Sequence, residues 1–236
     1  MSQRLLIIAS ALLLAGSLHA EPKAVATLVS KPAGHSFSRP VEQPQTLEFE
    51  VSYDGRKLGT HRYTLTPEAD ALRVTSTTRL RYRLAFVPLF RYDHEASELW
   101  RDGCLVSLDA TTNDDGTRYD VSARQDDGML TLERRKPQAD SEDVPADCPA
   151  SFAYWDRTRL ERAALLNAQT GKLEGIEFQA EGEDEINGIA TRRYRLTTGA
   201  GAELMLWYAA DDDRWLRLET RRDKGTLTYE RMSASS

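Results

Sequence analysis

The sequence predicts a mainly β protein in which an antiparallel meander forms a strongly curved sheet or an open half-barrel, with one helix packed across it. Apolar and polar residues alternate along most of the chain, and Asp-Gly, Asn-Gly and similar turn residues recur at regular intervals. A single stretch has helical spacing instead. Long strands that are apolar on one face cannot stay flat with that face wet, which favours the curved sheet.

The strand pattern begins at residue 46, where Leu47, Phe49, Val51 and Tyr53 alternate with polar residues. Turn residues such as Asn187-Gly188 separate this strand and those that follow, as in a chain of hairpins. The strands are predicted at 46–53, 60–66, 72–84, 91–101, 105–112, 119–123 and 129–134, and then at 176–180, 190–197, 202–209, 214–222 and 226–232. Residues 136–149 carry prolines and acids and are predicted to form an exposed loop.

The helix is predicted near residues 151–169. Its apolar residues recur at intervals of three and four along one side of a helix, and charged residues fill most of the other side. Gly171 is placed to end the helix in a left-handed conformation, and Asn167 can begin that exit. The apolar positions are Phe152, Trp155, Leu160, Ala163, Ala164 and Leu166.

The chain is predicted to divide into a signal peptide at 1–20, a flexible arm at 21–45 and one β-rich domain at 46–236. A basic start, an apolar run and a small residue at Ala20 predict export to the periplasm with cleavage after Ala20. A retained, uncleaved anchor is the alternative, and it would tether the same domain to the membrane. Contact of the domain itself with a membrane is expected to be peripheral at most. Prolines recur through the arm and block regular structure there.

The formal net charge of −6 argues against a nucleic-acid partner, which needs a basic footprint. The two cysteines, Cys104 and Cys148, are an even pair in an exported chain and predict a disulfide. Neither has a second cysteine or histidine at ligand spacing, so no metal site is predicted, and no cofactor motif is recognised.

Two histidines, His61 and His94, lie on the apolar faces of their predicted strands. With Glu98 on the same face, His94 can form an inward polar pair suited to general-base chemistry. No nucleophile motif such as GxSxG occurs, and a hydrogen-bonded cavity histidine is the alternative. We therefore predict no catalytic residue.

Aromatic residues give the stronger indication of function, because small-molecule sites are concave and largely apolar. The alternative for any one of these aromatic residues is a place in the core of the sheet. The predicted ligand-binding residues, which include the polar pair, are Tyr92, His94, Glu98, Trp100, Tyr154, Trp155 and Trp207.

Four segments together carry a family resemblance: YDGRKLGTHRYTLT, LWRDGCLVSLDATTNDDG, FAYW followed by LLNAQTG, and RRYRL followed by LWYAADDDRWLRLE. The chain resembles a family of exported bacterial proteins that is known as a domain of unknown function. More distantly it is similar to curved-sheet periplasmic proteins and to the half-barrel lipoprotein carriers of the cell envelope. The resemblance implies a periplasmic location and a half-barrel fold, and it implies no activity or site residues.

The sequence thus predicts a non-catalytic binding protein for an apolar or amphipathic small molecule, or for a partner protein of the envelope. One alternative is a structural or interaction scaffold in which the helix fills the concave side. Another is a hydrolase that uses His94 and Glu98.

Overall fold

The structure, a computed structural model, describes residues 41–84, 87–222 and 225–233. The predicted signal peptide, its cleavage site and most of the predicted arm lie outside these residues. Fourteen strands form one antiparallel sheet in the described chain. The first eight are β1 (Gln45–Tyr53), β2 (Arg56–Glu68), β3 (Ala71–Leu84), β4 (Val87–Arg101), β5 (Cys104–Asp114), β6 (Thr117–Asp126), β7 (Met129–Arg134) and β8 (Asp140–Pro145). The other six are β9 (Ala164–Leu166), β10 (Leu173–Ile186), β11 (Ile189–Thr198), β12 (Glu203–Ala209), β13 (Trp215–Arg222) and β14 (Gly225–Arg231).

The spatial order of the strands is β8 to β1, then β14 to β9, so each half of the chain is a plain meander. The two halves join where β1 pairs with β14, for example Val51 opposite Tyr229. The sheet ends at β8 and β9 and is not closed into a continuous barrel. This confirms the predicted antiparallel meander and open curved sheet.

Tight turns connect many of the strands, because the chain supplies residues that tolerate positive φ. In each Asx-Gly pair both residues have positive φ, the conformation that the two-residue hairpin turn requires. These pairs are Asp54-Gly55, Asp102-Gly103, Asp115-Gly116, Asp127-Gly128 and Asn187-Gly188.

The predicted helix at 151–169 is wrong. Residues 146–172, here called the connector, contain one 3-10 helix, Arg157–Leu160, and the short strand β9. The connector passes through the concave side, so it is buried on several sides rather than along one stripe. Asp156 and Arg159, which belong to the charged side of the predicted helix and were expected to face solvent, are only 7% and 4% exposed.

Local hydrogen bonds explain why the connector leaves the helical path. The Asp156 carboxylate accepts hydrogen bonds from the backbone N–H and the hydroxyl of Thr158 and caps the 3-10 helix. The Asn167 side chain accepts from the N–H groups of Gln169 and Thr170 and forms a turn. Gly171 has the expected positive φ of 67°, but it serves the β9–β10 turn.

The loop predicted at 136–149 is partly a strand, β8, which pairs with β7 at the edge of the sheet. After β8, the predicted disulfide is confirmed: Cys148 is bonded to Cys104 at the start of β5. The Leu105 N–H donates to the Pro149 carbonyl at 2.8 Å beside this bond. The disulfide and this hydrogen bond fix where the connector enters the concave side.

A single hydrophobic core fills the concave side. It takes inward residues from strands of both halves, such as Phe49, Leu108 and Leu206, together with connector residues such as Leu160 and Leu165. The connector is therefore an integral layer of the core rather than a cover laid over it.

Candidate functional site

Strand β4 supplies a row of inward side chains, because alternate residues of a strand point to the same face. Tyr92, His94, Glu98 and Trp100 are each at most 9% exposed. The row runs along the concave side beneath the connector, as the alternation predicted.

Glu98 is bound from two sides. Its carboxylate accepts from the Ser151 hydroxyl at 2.7 Å and from the Trp100 indole N–H at 2.9 Å. Burial raises the pKa of the Glu98 carboxyl, and the two hydrogen bonds and the positive charge of Arg159 oppose that rise. Glu98 thereby attaches the connector to β4.

The two inward histidines lie in one transverse row: His61 is opposite Thr78, which is opposite His94. The His61 Nε2 is 2.9 Å from the Ser76 hydroxyl, and the His94 Nδ1 is 2.8 Å from the Thr112 hydroxyl. Burial lowers the pKa of His61 to about 3, helped by the nearby His94, and burial lowers that of His94 to about 4. Both rings are therefore neutral at neutral pH.

A small space of about 30 Å³ lies between this row and the connector. His61, His94, Glu98 and Ser151 contribute to its lining, and the buried Nδ1 of His61 has no hydrogen-bond partner among the described residues. Such a space holds about one water molecule. His94 and Glu98 both border it, but their hydrogen bonds go to different groups, Thr112 for His94 and Ser151 and Trp100 for Glu98.

The connector presents a buried charged group beside two indole rings. The Arg159 guanidinium lies 4.5 Å from the ring centre of Trp100 and 4.7 Å from that of Trp155. Its Nε is 3.0 Å from an Asp156 carboxylate oxygen. The rings of Trp100 and Trp155 meet edge to face, with their centres 5.8 Å apart. Cation–π contacts and the ion pair compensate for the burial of the charge.

An open cavity of about 950 Å³ lies directly above this arrangement. It opens at the end of the sheet that carries the β2–β3, β4–β5 and β12–β13 turns, and residues 41–45 border it. Three largely buried indole rings and several leucines contribute to its lining, together with charged residues of both signs. The lining includes Trp100, Trp155, Trp215, Leu47, Leu65, Leu72 and Arg159.

The structure divides the predicted ligand-binding residues into groups. Trp100 and Trp155 line the open cavity, whereas His94, Glu98 and Tyr154 border the small space beneath the connector, where Trp155 also contributes. The other two predicted residues lie outside both spaces.

Tyr92 and Trp207 are the residues that the structure keeps apart from the cavity. Tyr92 lies farther along the concave side, where its hydroxyl donates to the Gln169 side chain at 3.0 Å. Trp207 lies on the outer face, where its N–H donates to Asp184 and the Arg217 guanidinium lies over its ring. Its neighbours in the strand, Leu206 and Tyr208, are the inward residues.

Arg159 and Arg231 also line the cavity, although neither was among the predicted ligand-binding residues. Arg159 was assigned to a solvent-exposed helix face. Arg231 continues the inward alternation of Leu227 and Tyr229, which is the signal that could have located it. The structure also places Trp215 in the cavity wall.

Comparison with known families identifies the chain. Residues 49–232 match the family model described as Domain of unknown function (DUF6134). The chain belongs to this family. The match spans both halves of the DUF6134 sheet and the connector between them. A search of curated proteins finds no match.

Among solved structures, the DUF6134 chain is similar to a β-barrel-like protein of the domain of unknown function DUF1849 from Brucella abortus. The identity is 10%, the match covers 81% of this chain and 96% of that one, and the TM-score is 0.57. LprF from Mycobacterium bovis gives 13% identity, coverage of 81% and 86%, and a TM-score of 0.30. A DUF1329 family protein from Desulfovibrio piger gives 10%, 82% and 85%, and 0.25. The first likeness shows a shared fold.

Within the parts of the chain that the structure describes, no three or more His, Cys, Asp or Glu side chains are grouped so that they could hold a metal ion. The same residues include no helix with the length and apolar character needed to span a membrane.

Proposed function

We propose that this DUF6134 protein is an exported, periplasmic binding protein whose open cavity holds an apolar or amphipathic small molecule. The observation that carries the proposal is the cavity of about 950 Å³ walled by Trp100, Trp155 and Trp215. Its volume lies within the range of small-molecule sites, and aromatic side chains are common in such sites. Charged residues share the lining with the three indoles.

Most of this wall is already held in place without a ligand. Trp100 is fixed by its hydrogen bond to Glu98, and Trp215 packs on Phe49 with the ring centres 4.0 Å apart. A preformed wall lowers the entropy cost of binding. Trp155 is held by its edge-to-face contact with Trp100 and by the Arg159 guanidinium over its ring.

The small space beside His94 and Glu98 supports binding less well and supports hydrolysis poorly. At about 30 Å³ it has room for a water molecule rather than a substrate. The open cavity, by contrast, can admit a ligand or a short apolar segment of an envelope protein, and we take the small molecule as its occupant.

The location rests on two observations. The first twenty residues have the basic start, apolar run and small-residue end of a signal peptide. The Cys104–Cys148 disulfide fits an oxidising compartment such as the periplasm. The intact mass of the protein recovered from the periplasm tests cleavage after Ala20, since a retained anchor would add the mass of residues 1–20.

Native mass spectrometry of periplasmic protein, followed by titration with a fluorescent apolar probe, tests binding. We expect a bound small molecule, or saturable uptake of one probe per chain. Trp155→Leu should weaken probe binding about tenfold, since one buried aromatic contact contributes on the order of 1.4 kcal/mol. Trp207→Leu is the matched control, because this indole lies on the outer face.

A cavity-filling variant guards against misfolding of the Trp155 variant. Leu72 lines the cavity, and Leu72→Trp should exclude the probe while the urea unfolding midpoint stays near that of the parent protein. Absence of any saturable site in the folded parent protein would overturn the binding proposal and favour a structural scaffold. Equal loss of binding in the Trp155 and Trp207 variants would remove the cavity as the site.

A further inference from the structure

One cation of the cavity has no carboxylate to neutralise it. Arg231 is the last residue of β14 and is half-buried on its inward face, opposite Phe49 of β1. Its Nη1 donates to the Trp215 carbonyl at 3.3 Å. Among the described residues, no carboxylate lies within ion-pair distance of it, although most other charged groups of the cavity are paired.

Most acids around the cavity already form ion pairs with other arginines. Asp212 is the acid whose charge acts on Arg231, but it pairs with Arg214 at 3.1 Å. Four other acids at the cavity also form ion pairs with arginines. These pairs are Glu68 with Arg73, Asp70 with Arg101, Asp156 with Arg159, and Asp213 with Arg157.

Burial lowers the pKa of the Arg231 guanidinium, and the positive charge of Arg214 adds to this effect. A guanidinium nevertheless remains protonated, so its charge is partly desolvated and unpaired. An anion that entered the cavity would form charge-assisted, bidentate hydrogen bonds with this group. Burying this unpaired charge therefore costs free energy, and a bound anion would offset that cost.

Apolar surface lies next to this charge. Arg231 donates to the backbone of Trp215, and the Trp215 side chain is part of the cavity wall with Leu47 and Leu65. A ligand whose anionic group binds Arg231 can therefore extend an apolar chain along the indole and leucine side chains. Neither a purely apolar nor a purely anionic molecule would use both features.

We propose that the cavity binds an amphipathic anion, with a carboxylate or similar headgroup at Arg231 and an apolar chain against the tryptophans. This inference rests on the proposed binding function and names the ligand class for it. A cationic amphiphile is the opposite choice. The lining acids with no ion-pair partner among the described residues are Glu42 and Asp102, which are exposed and well solvated, so they offer a cation little.

Three probes that share one alkyl chain separate the possibilities: laurate, dodecanol and dodecyltrimethylammonium. Isothermal titration calorimetry on the oxidised protein should show laurate binding at least about tenfold more tightly than the other two. Arg231→Gln should remove that preference and bring laurate to the affinity of dodecanol. Arg79→Gln is the matched control, because Arg79 is an exposed strand arginine outside the cavity.

The outcomes distinguish this inference from the proposed function. If no probe binds the folded protein, the binding function itself fails. If all three bind alike and Arg231→Gln changes nothing, the cavity binds apolar chains without charge preference and the anion inference is overturned. Tighter binding of the ammonium probe would also overturn it. Arg231→Lys, which keeps the charge, should retain part of the laurate preference and shows that a loss in Arg231→Gln is not a folding defect.

Discussion

Arg159 is a fully charged side chain that the fold has placed in its interior. It is 4% exposed, lies against Trp100 and Trp155, and forms an ion pair with Asp156. Such a pair contributes little net stability relative to apolar residues, but the loss of one partner leaves a buried charge uncompensated. We infer that Asp156 and Arg159 depend on each other more than either contributes alone.

This dependence can be measured with a double-mutant cycle. Asp156→Asn should lower the free energy of unfolding by roughly 3 kcal/mol, because the Arg159 charge stays buried without its partner. Asp156→Asn with Arg159→Met should cost less than the sum of the two single changes, since neither charge of this ion pair is left buried without its partner. Urea unfolding gives the four values, and strictly additive losses would contradict the coupling.

The buried histidines make stability depend on pH. His61 and His94 bind a proton in the unfolded chain below about pH 6.5, but in the folded chain only near pH 3 and pH 4. The stability that depends on these two neutral histidines is therefore complete above pH 6.5. It falls as the pH drops from 6.5 towards the folded-state pKa values. Each histidine contributes a slope of about 1.4 kcal/mol per pH unit there.

His94→Asn tests this dependence, since an amide can keep a hydrogen bond to Thr112 while losing the titration. Between pH 6.5 and about 4, the variant should lose on the order of 3 kcal/mol less stability than the parent protein. Glu98, whose pKa burial raises, acts in the opposite direction in both proteins and drops out of the difference. Parallel curves of unfolding free energy against pH would contradict the assignment.

At the scale of elements, the connector is held at its entry by a covalent bond. Cys104 and Cys148 are 44 residues apart, and the chain-entropy model gives about 4 kcal/mol for closing such a loop. Replacing both cysteines by alanine should lower the free energy of unfolding by up to about that amount. The decrease should be matched by reducing the parent protein, and an unchanged urea midpoint in either case would contradict it.

The strands could largely be predicted because their side chains alternate, and β4 shows why. Its inward residues were identified correctly from Tyr92 to Trp100, since a half-buried strand keeps a period of two. Strand β8 was missed because its acids and its proline suit an exposed edge strand as well as a loop. The connector was misread as a helix because burial on several sides leaves a pattern that resembles helical spacing.

The part of the site that could not be predicted is which face of the sheet some strand residues occupy. Trp207 and Trp100 each follow a leucine, and both were predicted to lie on the concave side. The structure turns Trp207 outward between Arg193 and Arg217, where the guanidinium of Arg217 and the Asp184 carboxylate cover its ring and N–H. Side chains that cover an outward indole come from other strands, so their effect on its burial cannot be seen in the local pattern.

At the scale of the whole molecule, the two meander halves cannot bury their apolar faces separately. Strands β1 and β14 pair across the junction, and the connector contributes to a core that both halves share. Neither half keeps its own closed core if the other unfolds, and a chain with one shared core unfolds cooperatively.

We therefore expect a single unfolding transition. Trp100 reports on the first half and Trp215 on the second, so two variants that each keep one of these as the sole tryptophan provide local signals. In each variant the fluorescence midpoint in urea should coincide with the midpoint of far-ultraviolet circular dichroism, whatever stability the replacements cost. If the Trp215 signal were lost at lower urea than the dichroism while the Trp100 signal persisted, the halves would be independent units, and the connector would join two cores instead of completing one.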